Sequence, residues 1–328
     1  MGIFLWVPIV GIGFIACPLF WVAGYHLSPS MLFSLPLAAA LGIAASLVTA
    51  RARAGRRVGA AINAFYQLSF AGGTAMMLAY AAAASGRPLY DATLLAFDRA
   101  LYYDWTVYAR FFAEHPNTAR IVLTAYSTIM VQPLLLIAIL AATDRIADLE
   151  KFILATLVSL LLTVGLFALF PATTAWAHLG LSDLEVAAYG NLPVTGESWV
   201  RDLLQIRAGH RTLAGGFGSP IIAFPSLHCA SGLVYSWAGW RVRCLRPILL
   251  VGNAMMLAAT PVVGGHYIAD LVGGAIVALV AIIIAERSYA PLAASLLAAR
   301  ARWSVRLAPA GQGLSGTISS FHALLSTR

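Results

Sequence analysis

Charged residues are scarce in this chain of 328 residues, since Asp, Glu, Lys and Arg together make up only 10% of it. A soluble domain carries about 25% charged residues, so the composition excludes an ordinary water-soluble protein. Hydrophobic residues make up 60% of the chain, and the mean hydropathy is +0.83. The sequence therefore predicts a polytopic membrane protein. Its net charge of +8 does not indicate nucleic-acid binding, because excess arginine in a membrane protein marks the cytoplasmic loops.

Cysteine and lysine are rare as well. The three cysteines, Cys17, Cys229 and Cys244, are odd in number and unevenly spaced, which predicts that there is no disulfide framework. Lys151 is the single lysine beside twenty arginines, and this bias, with the abundant alanine, indicates a GC-rich and therefore bacterial genome. The first apolar segment has no basic region before it and no small-residue cleavage site, so we expect a retained span and not a signal peptide.

Long apolar runs dominate the chain, and a run of about 20 residues is needed to cross the hydrocarbon core of a membrane. The runs predict an all-α protein, a polytopic helix bundle with about eight spans. We place the spans near 3–24, 31–50, 58–84, 119–142, 151–170, 224–240, 247–263 and 266–286. The predicted organisation is an N-terminal two-span hairpin (1–57), a main membrane domain (58–286) and a cytoplasmic basic tail (287–328).

Basic residues are distributed unequally between the two sides of the membrane that these spans define. One side, which includes both termini, holds fourteen of them, and the other side holds seven. The positive-inside rule makes the first side cytoplasmic. Two segments that do not span then lie outside. Residues 89–115 mix aromatic and charged residues at helical spacing, which predicts a helix at the outer interface, and residues 171–223 form the longest polar stretch, whose length favours a functional loop.

Two short stretches carry the candidate chemistry, FPSLH at 224–228 and GGHYIAD at 264–270. His266 and Asp270 are four residues apart, so on one helix their side chains meet. A carboxylate bonded to one ring nitrogen leaves the other nitrogen free as a base, a nucleophile or a ligand. Asp270 is the only acid inside the long apolar segments, where an ionisable group is costly and usually functional. A purely structural hydrogen bond between helices is the alternative.

His228 completes the candidate trio. Pro225 suits the first position of a helix, which puts His228 in the first turn of its span and His266 in the first turn of another. One interpretation is phosphoryl transfer, in which Asp270 orients the nucleophile His266 and His228 protonates the departing oxygen. The alternative is that the trio ligates a metal ion, but no second carboxylate or cysteine lies nearby in the sequence.

Phosphate binding would require further donors. Helix N-termini offer N–H groups and the positive end of a dipole, and Ser226 lies at one of them. Arg207 and Arg211 stand in the outer loop shortly before the sixth span, and guanidinium groups match the geometry of phosphate. We therefore single out Arg207, Arg211 and Ser226 as candidate phosphate-binding residues. Ordinary loop arginines are the alternative.

The motif F-P-S-L-H, followed about forty residues later by G-G-H-Y-x-x-D, resembles the type-2 phosphatidic acid phosphatase superfamily. The more similar branch contains inositol phosphorylceramide synthases and their bacterial relatives. The resemblance covers roughly residues 58–286, with its specific part in 200–275. It implies a six-helix catalytic core, a phosphohistidine intermediate, no metal or other cofactor and an amphiphilic phosphate substrate. His228 matches the acid of that family, His266 its nucleophile and Asp270 its orienting carboxylate.

The sequence departs from the family pattern at three places. The first motif of the family, K-x6-R-P, is absent. Thr260 stands where the third motif has an arginine, six residues before its histidine, and Leu227 stands where phosphatases commonly have glycine. The first two departures leave the phosphate-binding arginines to be found elsewhere in the chain.

These residues and the resemblance together predict an integral membrane enzyme that breaks a lipid phosphoester or phosphodiester, on the periplasmic face of a bacterial inner membrane. The expected partners are the lipid phosphate substrate, an alcohol or water as acceptor, and the membrane lipids. Leu227 and the two outer segments favour an occluded pocket and transfer to an alcohol, and a lipid phosphate phosphatase that uses water is the alternative. A different class is a non-catalytic membrane protein or a transporter, but we find no paired interrupted helices in corresponding halves.

The charge asymmetry predicts which side of the membrane each loop occupies. In a cysteine-free background, a cysteine introduced near Gly196 should react with a membrane-impermeant thiol reagent in intact cells, and one near Arg53 should react only after the cells are lysed. The reverse labelling pattern would overturn the assigned side.

Overall fold

The structure is a computed structural model that describes residues 3–25, 36–37, 39–44, 53–181, 196–211 and 221–307. Within these residues the chain is helical and contains no β-strand, which confirms the predicted all-α class. The contacts divide the chain into two compact units, Met1–Arg287 and Ser288–Arg328. All the elements that concern the candidate site belong to the first unit.

Two 3₁₀ turns accompany the α-helices in the described part of the chain, at Ile3–Leu5 and Thr128–Met130. The helices are α1 (Trp6–Val22), α2 (Arg53–Ala83), α3 (Asp91–Ala100), α4 (Trp105–Glu114), α5 (Pro116–Ser127), α6 (Gln132–Ala142), α7 (Ile146–Leu169), α8 (Ala175–His178), α9 (Gly196–Arg207), α10 (Leu227–Gly239), α11 (Leu245–Val263) and α12 (Ile268–Leu307).

Among the described residues, three helices are long and apolar enough to cross a membrane, namely α7, α11 and the part of α12 up to Ser295. The helices α5 and α6 form a fourth span if they are taken together, since they meet at a bend of 55°. These four match the predicted spans near 151–170, 247–263, 266–286 and 119–142. The predicted span 58–84 lies within the long helix α2, and the predicted span 3–24 corresponds to the 17-residue apolar helix α1. The predicted span 31–50 falls mostly outside the described residues.

Helix α2 packs against α1 and α7, while α10 packs against both α7 and α11. The interface between α10 and α11 holds a polar network: Gln132 Nε2 donates to Asn253 Oδ1 at 2.8 Å, and Asn253 Nδ2 donates to the carbonyl oxygen of Gly232 at 3.0 Å. A polar group inside a membrane bundle requires such partners because lipid offers none. The network therefore fastens the bend before α6 to the central helices.

Ion pairs close one end of the bundle. Arg56 pairs with Asp144 at 2.8 Å, and Glu286 accepts from both Lys151 and Arg241. These pairs join loops that the charge analysis assigned to one side of the membrane. Glu286 is sixteen residues after Asp270 on α12, or roughly 24 Å at the rise of an α-helix. The candidate site thus lies at the opposite end of the bundle.

The segment 89–115, predicted as an interfacial helix, consists of two helices, α3 and α4. The break falls at Tyr102, which has a φ of 57°, and Asp104 then caps α4 by accepting from the N–H of Thr106 at 2.8 Å. Hydrogen bonds from Thr106 and from the N–H of Val107 hold the pKa of Asp104 below its usual range. The first residue of α4 also bonds to α11: Trp105 Nε1 donates to the carbonyl oxygen of Pro261 at 2.7 Å. This bond anchors α4 to the end of α11, just before the second motif.

Candidate active site

The pair formed by His266 and Asp270 lies in the connection between α11 and α12. His266 Nδ1 is 3.0 Å from Asp270 Oδ2, and the side chains are 5% and 0% exposed. The same carboxylate oxygen accepts the backbone N–H of Tyr267 at 3.0 Å. Tyr267 directly precedes α12, and Asp270 is the third residue of that helix. The bond is therefore the one found in a capping box, in which a side chain at the third helical position accepts the N–H of the capping residue. The cap and the histidine therefore share one fixed oxygen.

The expected position of His266 inside the helix was wrong, because α12 begins at Ile268, two residues later. The pair forms nonetheless, through the cap instead of a shared helical face. The chain turns at Gly265, which has a φ of +67°, and its carbonyl oxygen accepts from the N–H of Ala175 at 2.8 Å. A Cβ at Gly265 would lie 2.7 Å from Trp176 Nε1. Glycine is required at this position by both its backbone conformation and its close packing.

The first motif lies at the start of α10. The expected helix start at Pro225 was also wrong: the helix begins at Leu227, and Ser226 is its cap, accepting from the N–H of Cys229 at 3.3 Å. Serine takes this role because its side-chain oxygen satisfies an amide that the helix leaves unpaired. Ser226, a predicted phosphate-binding residue, is fully buried, and its oxygen is engaged in the cap. His228 does lie in the first turn of α10, as predicted.

The two motifs are held together by backbone contacts. The N–H of Ser226 donates to the carbonyl oxygen of Asp270 at 2.9 Å. Close approach of α10 to α12 depends on Gly274, where a Cβ would lie 2.4 Å from the carbonyl oxygen of Ser226. The structure thus brings the predicted residues Ser226 and His228 next to the segment that carries His266 and Asp270.

Tyr126 on α5 connects the two histidines, and the sequence analysis missed it. Its ring stacks on His228 with centroids 4.3 Å apart, and its hydroxyl is 3.4 Å from His228 Nδ1. The hydroxyl also lies 3.0 Å from the position of a Cβ on Gly264, while Cδ2 of His266 lies 2.6 Å from that same position. Tyr126 therefore holds the ring of His228 from one side and borders the segment of His266 on the other.

Two acids of α3 support the start of α12, and they too were missed. Asp98 accepts the N–H groups of Ile268 and Ala269, both at 3.0 Å. Asp91 Oδ1 accepts the hydroxyl of Tyr267 at 3.0 Å. Burial raises the pKa of Asp98, while these amide N–H groups act to lower it. The amides that the sequence analysis offered to a phosphate at this helix end are therefore bound to carboxylates of the protein.

The two arginines predicted to bind phosphate donate to backbone carbonyls, although Nη1 of Arg207 is buried without a hydrogen-bond partner among the described residues. Arg207 Nη2 donates to the carbonyl oxygen of Arg87 at 2.8 Å. Arg211 Nε donates to the carbonyl oxygen of Ala23 at 2.7 Å, and its guanidinium group lies over the ring of Tyr25 at 5.3 Å. Among the described residues, no hydrogen bond or ion pair joins either arginine to the two histidines or to Asp270. Both side chains fasten the outer loop to its surroundings.

A metal centre finds no support in the part of the chain that the structure describes, since no group of three or more His, Cys, Asp or Glu residues there is arranged to hold an ion. His266 and Asp270 face one another, and His228 faces Tyr126. Each histidine of the trio therefore has its own polar partner.

Comparison with known proteins gives one match. The family model described as PAP2 superfamily, which is the type-2 phosphatidic acid phosphatase superfamily, matches residues 92–284. The matched range is more than half of the chain and contains His228, His266 and Asp270 as well as Tyr126 and Asp98. No curated protein and no solved structure shows significant similarity to the chain.

The contacts of Asp98 predict that α3 stabilises the start of α12. Asp98→Ala leaves the buried N–H of Ala269 without an acceptor, at a cost of about 1–3 kcal/mol, and the partly buried N–H of Ile268 as well. In detergent-solubilised protein, hydrogen exchange followed by mass spectrometry should become faster across residues 264–272, and the thermal midpoint should fall.

Asp104→Ala is the matched control, because Asp104 caps α4 in the same chemical way but at an exposed position. It should speed exchange near residues 104–108 and leave 264–272 protected. Unchanged exchange of 264–272 in Asp98→Ala would contradict the assigned role.

Proposed function

The chain belongs to the PAP2 superfamily, and we propose that it is an integral membrane phosphotransferase that acts on a lipid phosphoester or phosphodiester through a phosphohistidine. Family membership supports phosphatase-type chemistry on phosphoesters. The observation that carries the proposal is the buried pair of His266 and Asp270, with His228 held beside it by Tyr126. We place the site on the outer face of a bacterial inner membrane, following the distribution of basic residues.

In the first step, His266 attacks the phosphorus atom of the lipid. Asp270 Oδ2 accepts a hydrogen bond from the N–H group at Nδ1, so Nε2 keeps its lone pair and faces away from Asp270. The bond between Nε2 and phosphorus forms as the bond between phosphorus and the leaving oxygen breaks. His228 donates its proton to that oxygen, which leaves as an alcohol.

The second step reverses the roles. An acceptor hydroxyl attacks the phosphohistidine, His228 now takes the hydroxyl proton, and the bond between Nε2 and phosphorus breaks. His266 returns to its starting state with its proton still on Nδ1. The stacking of Tyr126 supports this exchange because it fixes the plane of the ring of His228 while leaving one nitrogen to act on the substrate.

The acceptor decides between a transferase and a phosphatase. Transfer to an alcohol requires that water is kept from the phosphohistidine. Leu227 supports transfer, since it places a partly buried apolar side chain next to His228 where phosphatases commonly have glycine. The helices α3 and α4, anchored through Asp98 and Trp105, cover the same end of the bundle. The resemblance to inositol phosphorylceramide synthases points in the same direction and belongs to this proposal.

Substitution of the trio tests the mechanism. His266→Ala should abolish turnover of a labelled lipid phosphate in mixed micelles, because no neighbouring group can replace a covalent nucleophile. Asp270→Asn should lower the rate by orders of magnitude without unfolding the protein. His228→Ala should slow the release of poor leaving groups most, and partly spare good ones.

His115→Ala is the matched control, since His115 is an exposed histidine at the end of α4 and contacts neither motif. It should turn over substrate at the wild-type rate. Near-normal turnover in His266→Ala would refute the phosphohistidine route.

The partition of products tests the acceptor. With labelled lipid phosphate and a series of polyols, we expect labelled phosphoryl-alcohol or exchanged lipid to exceed free phosphate when a suitable alcohol is present. Leu227→Gly should shift the ratio toward free phosphate, because it removes the apolar side chain beside the acid. If free phosphate dominates with every acceptor in the wild-type protein, the enzyme is a phosphatase.

A further inference from the structure

One buried tryptophan has a donor without an acceptor. Trp6 Nε1 donates to Asn63 Oδ1 at 2.8 Å, and Trp105 Nε1 donates to the carbonyl oxygen of Pro261 at 2.7 Å. Trp176, which is 5% exposed, has an Nε1 with no hydrogen-bond partner among the residues that the structure describes. Buried N–H donors are nearly always paired, so an unpaired donor calls for an explanation.

The unpaired N–H lies against Gly265, the residue before the candidate nucleophile. Trp176 Nε1 is 2.7 Å from the position of a Cβ on Gly265, the residue before His266. Glycine thus allows the indole to reach the backbone of this segment. An N–H in this position can donate to an oxygen of a group bound at His266.

Trp176 also forms part of a groove of about 450 Å³ along the outer helix α9, whose described lining includes Val200, Arg201, Leu204, Gln205 and His210. None of the described lining residues is acidic. Arg201 is exposed and makes no hydrogen bond or ion pair within the described part of the chain. Arg207 and Arg211 donate to backbone carbonyls, whereas no donor of Arg201 has a partner among the described residues.

The carboxylates around the histidines make a cation such as Arg201 necessary for phosphate binding. Three carboxylates, those of Asp91, Asp98 and Asp270, converge on residues 266–269. A phosphate group that approaches this segment is repelled by nearby negative charge, and its transfer is favoured by fixed donors and cations. The positive charge must therefore come from residues outside the segment 266–269. Among the described groove residues, Arg201 supplies it.

We propose that the groove beside Gly265 binds the phosphate group of the substrate, with Trp176 Nε1 and the guanidinium group of Arg201 donating to its oxygens. The headgroup then extends along α9 toward Gln205, whose amide can bond to its hydroxyl or ester oxygens. This inference rests on the proposed function and names the phosphate-binding residues of the same site. The ligand is a phosphate group, carried by a lipid as a monoester or diester or present as free inorganic phosphate.

Binding measurements with two conservative variants test this inference apart from catalysis. Trp176→Phe removes the donor and keeps an aromatic ring, and Arg201→Gln removes the charge and keeps a polar side chain. The probes are short-chain phosphatidic acid, inorganic phosphate and the corresponding phosphate-free diacylglycerol, titrated into detergent-solubilised protein. Each variant should bind phosphatidic acid about 10- to 100-fold more weakly than the wild type, the value of one hydrogen bond to a charged group.

The two phosphate sources are distinguished by the same titrations. Weaker binding of both phosphatidic acid and inorganic phosphate assigns the groove to phosphate whatever carries it, and weaker binding of the lipid alone assigns it to the lipid headgroup. Wild-type affinity for both probes in both variants overturns the inference, as does an equal loss of affinity for diacylglycerol.

Matched controls exclude general effects of the substitutions. Trp6→Phe removes an indole N–H bonded to Asn63, and Arg110→Gln removes an exposed arginine of α4. Both should bind phosphatidic acid like the wild type. Trp176→Phe loses no internal hydrogen bond, so its thermal midpoint should stay at or above that of Trp6→Phe. A fall well below it, together with lost binding, would mark a structural role for the indole and overturn the inference.

Failure of this inference is separable from failure of the proposed function. His266→Ala should still bind phosphatidic acid in the groove, since the nucleophile is not one of the proposed phosphate donors. Turnover that survives in His266→Ala refutes the mechanism only, while unchanged binding in Trp176→Phe and Arg201→Gln refutes the groove only.

Discussion

The start of α12 is the constraint on which the candidate site depends. The first amides of a helix have no partner within the helix, and a membrane interior offers none either. Here Asp270 accepts the N–H of Tyr267, and Asp98 accepts those of Ile268 and Ala269. Because Asp270 is fixed by this cap, its oxygen also holds His266 in one orientation. One local requirement for hydrogen bonds thus positions the residue that we propose as the nucleophile.

The need to pair the amides at the start of α12 makes α3 and α4 part of the candidate site. Asp98 lies on α3, and the neighbouring helix α4 is tied to the end of α11 through Trp105. The ion pairs of Arg56, Lys151 and Arg241 close the far end of the bundle. The chemistry is therefore placed at one end of the helices, while the other end carries the charges that stabilise the loops. The assignment of the far end to the cytoplasm stays a prediction from the distribution of basic residues.

Capping by carboxylates also has an electrostatic consequence. The amides at this helix end are not available to a phosphate, and the acids that bind them carry negative charge. Under the proposed function, a phosphate substrate depends on donors from a different element, and for this reason we propose a role for α9 and Trp176. The family match fixes the chemistry at the level of phosphoester reactions, and the particular donors are a property of this chain.

Composition and short motifs determined much of this protein from the sequence alone. The scarcity of charge and the long apolar runs predicted an all-helical membrane bundle, and the two motifs identified His228, His266 and Asp270 as candidates. The all-helical class is confirmed, because hydropathy and residue spacing are local properties of the chain, while the three site residues stay candidates.

Only the tertiary structure revealed the partners of these residues. Asp98 contacts Ile268 across 170 residues, Tyr126 contacts His228 across 102, and no local pattern encodes such distances. For the same reason, Arg207 and Arg211 were good phosphate candidates by residue type, yet their guanidinium groups bind carbonyl oxygens of Arg87 and Ala23. Residue type limits what a side chain can do, but packing between distant helices decides which partner it meets, because that depends on how the whole chain buries its polar groups.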